Sequence, residues 1–275
     1  MPSLTLLTIN CMGLPVPIPG LRRRLLALGK AIDAAATDVA CLQEVGRWRY
    51  LPWLRGEDDR WPHAVARTHP YAPRGGLATL ARLPVLNTTY HTFEARGPVA
   101  SLTTTELHQR KGTLSTSFNV ADTPIVVFNT HLAANYNARW SYTNPYAKIE
   151  RAQLRELAEW VRSVPNEVLV VVAGDYNVPR GSWLYDDFRS ATGVIDPLAT
   201  STAPTYRPLP GVPDRAVQAL DHVLVRVPHG LNVTMQAELC FRDPVLLDHA
   251  RTGYLSDHLA IKLRLDWNEE SKASG

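Results

Sequence analysis

Along this 275-residue chain, apolar runs repeatedly begin or end at residues able to hold a cation or move a proton. Asn10 follows one run, Gln43-Glu44 a second, Asn129-Thr130-His131 a third, and Asp175 and Asn177 a fourth. Asp221-His222 open another, and Ser256-Asp257-His258 precede the last. Carboxylate and amide oxygens are hard ligands of the kind a small divalent cation takes. Imidazole titrates near neutrality and can carry a proton in a reaction. Taken singly, each position has an ordinary reading. Asn10 can form a turn, Glu44 can be a surface acid, and His131 can be a core histidine with a satisfied ring. Gly174-Asp175-Tyr176-Asn177 reads as an Asx-rich turn, and Ser256-Asp257-His258 as loop leading into a strand. Strand ends of one packed sheet converge on one rim, however, so the set can meet in a single site.

The elements that would position these residues follow from periodicity. Leu4 to Asn10 reads as a mostly buried first strand, and Asp38 to Leu42 as a short second one. Between them Leu21, Leu25, Leu28 and Ile32 fall at helical spacing, with Arg22 to Arg24 as a solvated face. Further strands are expected over Leu77–Leu83, Gly112–Phe118, Pro124–His131 and Asp221–Val227. The unbroken apolar run Val168–Ala173 has the character of a central strand. Leu259, Ile261, Leu263 and Leu265 alternate with Lys262 and Arg264 at a period of two. A long helix spans about Pro145 to Val164, with Ile149, Ala152, Leu157, Trp160 and Val161 on its apolar face, and the proline-rich stretch 200–213 reads as loop. No linker or repeat interrupts the chain. The expectation is one domain over residues 1–267, sheets packed on each other with helices outside, and a flexible tail over 268–275.

Composition supports a large core and excludes several classes. Hydrophobic residues make up 45% and charged residues 20%, with a net charge of +3 and a pI near 8.8. That mild basic bias permits a phosphate-bearing substrate without demanding a nucleic acid. Cys11, Cys41 and Cys240 are too few and too widely spaced for a disulfide framework or zinc ribbon, and buried thiols are expected. No apolar run approaches ~20 residues, so no transmembrane helix is expected. The chain enters a strand-like run at once, without a signal peptide. A cytoplasmic or peripheral-membrane protein is expected, with secretion open if a leader has been removed, and a monomer.

Taken in order, Thr8-Ile9-Asn10, Leu42-Gln43-Glu44, Asn129-Thr130-His131-Leu132, Gly174-Asp175-Tyr176-Asn177, Leu220-Asp221-His222-Val223 and Leu255-Ser256-Asp257-His258 resemble the endonuclease/exonuclease/phosphatase superfamily. Each piece is weak alone; the order across nearly the whole chain is not. The resemblance implies an α/β fold, a four-layered α/β/β/α sandwich of two mixed β-sheets flanked by helices. It also implies hydrolysis of a phosphate ester by water, with Mg²⁺ as cofactor and Mn²⁺ able to substitute. Glu44 would be the direct metal ligand; Asn10 would assist at the metal or hold a phosphate oxygen, and Asp257 would be a second metal-side carboxylate, in some family members acting through water. His258 would be the general base, oriented by Asp221; Asp175 would position the water. Asn177 would donate to a phosphate oxygen. His131 would donate to the phosphate or protonate the leaving group. His222 carries no assigned role.

Within that superfamily the neighbourhoods of Asn10 and His131 look most like neutral sphingomyelinases. The similar segments are Asn10-Cys11-Met12-Gly13-Leu14-Pro15, Thr130 to Asn137 and Lys111-Gly112. The implied substrate is a sphingomyelin-like phospholipid at a membrane surface. Two aromatic clusters, Trp48, Tyr50, Trp53 and Trp61, then Tyr136, Trp140, Tyr142 and Tyr146, could face the headgroup layer or pack inside. Nucleic acid is the alternative substrate, with Arg22 to Arg24, Arg47, Arg49 and Arg55 as candidate phosphate contacts. An inositol-type small-molecule phosphatase and a binding protein without catalysis are the remaining classes.

Overall fold

The computed structural model describes residues 1–16, 18–56, 60–96, 110–207, 214–248 and 251–269. The first sheet contains β1 (Ser3–Gly13), β2 (Val39–Val45), β3 (His63–Val65), β4 (Ala78–Ala81), β10 (Leu231–Cys240) and β13 (Ala260–Glu269), in the order β10-β13-β1-β2-β4-β3. The second contains β5 (Asn87–Thr92), β6 (Gly112–Val120), β7 (Thr123–His131), β8 (Leu169–Asp175) and β9 (Asp221–Arg226) in sequence order. Each is mixed: β1–β2 and β7–β8 are parallel, and the other pairs are antiparallel. A small hairpin, β11 (Val245–Asp248) and β12 (Arg251–Gly253), precedes the last strand.

Three apolar layers hold four layers of backbone together. Leu4, Leu6, Val39 and Cys41 of the first sheet meet Ile125, Val127, Val171 and Val225 of the second. On the outer face of the first sheet, Leu7, Ile9, Ala40 and Leu42 pack under Leu21, Leu25, Leu28 and Ile32 of α1 (Leu21–Ala34). Outside the second sheet, Val170, Val172 and Leu224 lie under α3 (Pro145–Ser163) and α4 (Trp183–Thr192). The short α2 (Tyr50–Arg55) joins the α1 layer. This is the α/β/β/α sandwich expected. Covered on both faces, β8 needs apolar residues at every position, which is why its sequence shows no alternation.

Several boundaries differ from the expectation. The buried stripe of α3 runs through Ala147, Leu154, Leu157, Ala158 and Val161 and includes Glu150 and Gln153; Ile149, Ala152 and Trp160 sit at its half-buried edge. Gln153 belongs there because it accepts from Ala133 N (2.8 Å) and donates to Ala95 O (2.9 Å). Asn268 and Glu269 are strand, paired with Asn232 and Leu231, and 270–275 of the expected tail lie outside the described residues. Of the expected loop 200–213, residues 208–213 lie outside the described residues, and Tyr206 bridges to His258. Cys11 and Cys41 are buried and all three thiols are free. No helix among the described residues is long and apolar enough to cross a membrane.

Candidate active site

The site is the polar continuation of the two inner faces. In a strand, residues two apart share a face. On β8 the inner set Leu169, Val171, Ala173 continues to Asp175; on β7, Ile125 and Val127 continue to Asn129 and His131. On β1, Leu4 and Leu6 continue to Thr8 and Asn10, and on β2, Val39 and Cys41 continue to Gln43. The apolar core therefore turns polar at one end of all these strands. A buried layer comes first. Gln43 Nε2 donates to Asn129 Oδ1 (2.8 Å) and Thr8 Oγ1 (3.0 Å), and Asn129 Nδ2 donates to Ala78 O (2.9 Å) and Leu42 O (3.2 Å). All but the Thr8 bond cross between the sheets, and they pair groups that would be costly to bury alone.

Above this floor the expected residues converge. Register places His131 beside Asp175 and Asp175 beside Asp221. Asp175 Oδ2 accepts from Asn10 Nδ2 (3.0 Å) and lies 3.4 Å from His131 Nε2 and 3.8 Å from His258 Nε2; its Oδ1 accepts from Asn177 N (2.9 Å). Gly174 allows the approach of β7 and β8: its φ is 147°, and a Cβ there would lie 2.0 Å from Thr130 O. His258 Nδ1 and Asp221 Oδ2 are 2.8 Å apart, both buried. Thr205 Oγ1 holds the Asp221 segment by accepting from Leu220 N and Asp221 N, and the Tyr206 ring packs 5.0 Å from the His258 ring. Asn177 Nδ2 donates to Leu132 O (3.1 Å).

Glu44 reaches the site by breaking alternation. Strict period two would turn it toward α1 with Leu42. Instead its φ is 54°, and β1 carries a bulge opposite it, pairing Asn10 with Gln43 but Gly13 with Val45. Burial of its carboxyl and the facing Asp257 charge raise its pKa, opposed by a hydrogen bond to Asn10 and the His258 charge, with Asp175 adding to the rise. Carboxylates facing one another are what a bound cation balances. Glu44 and Asp257 offer carboxylate oxygens of the kind a divalent cation takes, whereas Asn10 turns Nδ2 to Asp175 (3.0 Å) and its Oδ1 accepts from Met12 N (2.9 Å). Asp175, Asp221 and His258 also carry ligand-type atoms within 4.8 Å of one another. Within that trio Asp221 Oδ2 and His258 Nδ1 are joined by the 2.8 Å hydrogen bond, while His258 Nε2 faces Asp175.

Electrostatics separate the histidines. Burial opposes a charge on His258, but Asp221, Asp175 and Asp257 outweigh it and hold its pKa well above the ordinary value. His131 is pushed down to about 3 by burial and by the Lys111 ammonium, against Asp175. It is therefore neutral near pH 7. His222 is fully buried, its Nε2 donating to Val178 O (2.8 Å), and burial with the Arg180 charge lowers it to about 4. It lies opposite Gly174 in the ladder, with its ring against Tyr176 and Tyr185.

Two cations enter that the spacing of residues did not assign. Lys111 is buried with Nζ 3.1 Å from His131 Nε2 and donates to Leu132 O (2.5 Å). Arg24 departs from the solvated run: Arg22 and Arg23 are exposed, but Arg24 turns inward. It stands three residues after Leu21 and four before Leu28, on the edge of the apolar stripe, so the helical wheel carried that signal. The aromatic clusters also divide. Tyr50 and Trp61 are core, and Trp48 and Trp53 are half-buried. In the second cluster Tyr136 and Tyr142 are exposed; Tyr142 stacks on Trp183 (4.2 Å), and Trp140 Nε1 donates to Asn177 O (3.2 Å).

Comparison with known proteins agrees with this geometry. A putative neutral sphingomyelinase of Drosophila melanogaster is 26% identical over 176 residues, 64% of this chain and 39% of that protein. An inositol phosphosphingolipids phospholipase C of Schizosaccharomyces pombe is 25% identical over 181 residues, 64% of this chain and 42% of that protein. The chain thus spans about two fifths of the length of these curated relatives. The crystal structure of D. rerio TDP2 complexed with a single-strand DNA product superposes with a TM-score of 0.73 at 17% identity, covering 96% of this chain and 99% of that one. The Endonuclease/Exonuclease/phosphatase family matches residues 7–258, from the first strand through His258, and the chain belongs to that family.

Proposed function

We propose that the protein is a divalent-metal-dependent phosphodiesterase that hydrolyses a sphingomyelin-like phospholipid to a phosphorylated head group and a ceramide-like alcohol. The observation that carries the reaction class is the buried His258–Asp221 pair, its outward nitrogen 3.8 Å from Asp175; Glu44, Asn10 and Asp257 are the residues that would hold the cation. His258 Nε2 takes a proton from water held by Asp175, and Asp221 stabilises the imidazolium that forms. The water oxygen bonds to phosphorus as the bond to the ceramide-like oxygen breaks on the opposite side; that oxygen takes its proton from solvent water, and the proton held by His258 returns to solvent. Neutral His131, the Lys111 ammonium and the Asn177 amide supply donors to the phosphoryl oxygens as their charge grows. A cation bound at Glu44 supplies further charge stabilisation there and offsets the carboxylate field on His258.

The lipid reading is supported by the two sphingolipid-named relatives and by the exposed Tyr136 and Tyr142, which flank Trp140, the donor to Asn177 O. The DNA-bound structural neighbour keeps nucleic acid as the second reading. The test offers sphingomyelin in mixed micelles and supercoiled plasmid DNA, each with Mg²⁺, to wild type and to His258→Ala. Phosphocholine release by wild type alone, with DNA spared, is the expected result. Nicking of DNA without lipid hydrolysis would overturn the substrate and keep the chemistry. Activity undiminished in excess chelator would overturn the metal.

A further inference from the structure

The paired backbone of β1 and β13 stops short of the chemistry. Their ladder runs from Ser3↔Asp266 to Thr8↔Ile261, leaving Asn10 on one side and Asp257 and His258 on the other beyond its end. The bulge after Asn10 also takes the carbonyls of Cys11 and Met12 out of regular pairing, with Met12 at φ 48°. Buried carbonyls of this kind need donors. Arg24 provides them. Its Nη1 donates to Cys11 O (2.9 Å) and Leu255 O (2.6 Å), and its Nη2 donates to Met12 O (2.6 Å). A second tie between the segments is Ser256 Oγ, which donates to Asn10 O (2.6 Å). The same guanidinium lies within electrostatic reach of both Asp257 and Glu44.

We infer that Arg24 is a positioning residue, a guanidinium clamp that fixes the Asn10–Glu44 side of the site against the Asp257–His258 side. A planar fork can reach carbonyls on two segments at once, whereas the single nitrogen of a lysine cannot reproduce that geometry. Arg24 touches no substrate; it sets the spacing between groups that do. The inference rests on the cation site proposed above.

The experiment uses the whole chain with Arg24→Lys and Arg24→Gln. Mn²⁺ affinity is read by electron paramagnetic resonance. The kcat and KM on bis(p-nitrophenyl) phosphate are read at saturating Mg²⁺, and near-ultraviolet circular dichroism reports folding. Loss of charge-assisted hydrogen bonds on this scale corresponds to roughly 10- to 100-fold effects. Arg24→Gln is expected to weaken Mn²⁺ binding and lower kcat by that order, with KM within about threefold. Arg24→Lys is expected to fall between, and it carries the test if the glutamine variant does not fold. A folded variant with Mn²⁺ affinity and kcat like wild type would overturn the clamp. So would a fall in melting temperature with Mn²⁺ affinity unchanged, which marks a merely structural arginine. Failure of wild type itself to bind Mn²⁺ would instead overturn the proposed cation site.

Discussion

The substitution Asp221→Asn isolates the charge behind His258. The two native side chains are 2.8 Å apart and only 2% and 7% exposed. Asp221 Oδ1 has no hydrogen-bond partner among the described residues, so the amide that replaces the carboxylate can rotate to keep its oxygen against Nδ1. The hydrogen bond then survives and the charge does not. Opposite unit charges with centres ~4 Å apart attract by about 4 kcal/mol at an effective dielectric near 20. At 1.36 kcal/mol per decade that is about a 10³-fold loss of rate, provided the imidazolium is fully formed in the transition state. Asp221 also helps hold the His258 pKa up, so its removal moves deprotonation of the base, and the acid limb of the rate profile, to lower pH. The assay is kcat/KM for bis(p-nitrophenyl) phosphate across pH at saturating Mg²⁺, with circular dichroism as the folding control. A folded variant that loses less than about tenfold, with its acid limb unmoved, would refute this role of Asp221.

Three further perturbations test other parts of the structure. Glu44→Gln removes a carboxyl that is raised by burial and like charge when no cation is bound. At Mg²⁺ about 100 times its dissociation constant wild type should gain about 2.7 kcal/mol, and the variant should show little of that gain in thermal melts; an equal gain would remove Glu44 from the metal site. His222 has a folded pKa of about 4 against 6.5 unfolded, so stability is intact above pH 6.5 and is lost as pH falls toward 4. The loss is about 3 kcal/mol. His222→Gln should flatten that stretch of a urea-midpoint profile, and parallel profiles would refute it. Asn129→Ala removes the cross-sheet acceptor of Gln43 Nε2 and the donor to two carbonyls and should cost roughly 2–4 kcal/mol in urea unfolding; a cost below about 0.5 kcal/mol would show that the cross-sheet layer is not structural.

Strands with a complete period or a two-sided apolar run were legible: β1, β8 and β13 each declare themselves by residue type. Leu231–Cys240 alternates as cleanly as β13 and answers to the same criterion. Asp175, His131 and Asn10 were visible because each is a polar residue continuing an apolar face. Glu44 was visible only as a residue at a strand end; the left-handed turn and bulge that aim it depend on pairing with β1, a long-range fact. Lys111 stood out only by its place next to Gly112, since its contacts lie on β7. The short α4 was marked at both ends, by Ser182 accepting from Tyr185 N and by Gly193 at φ 68°, but its apolar face is brief. Trp61 could not be told from an interfacial ring, because composition does not say which side of a strand a loop aromatic will fall on.

The shared alternation of core and site has a consequence for sequence change. Because side-chain direction repeats every two residues, deleting one residue within β7 or β8 would send His131 or Asp175 to the helix side and carry alternate valines with it. Such a lesion cannot produce a well-folded but inert protein; it forfeits the interior and the chemistry together. Insertions and deletions tolerated in this lineage should therefore fall in the connections. Inert but folded variants should arise by substitution at strand ends, where identity can change without a change of phase.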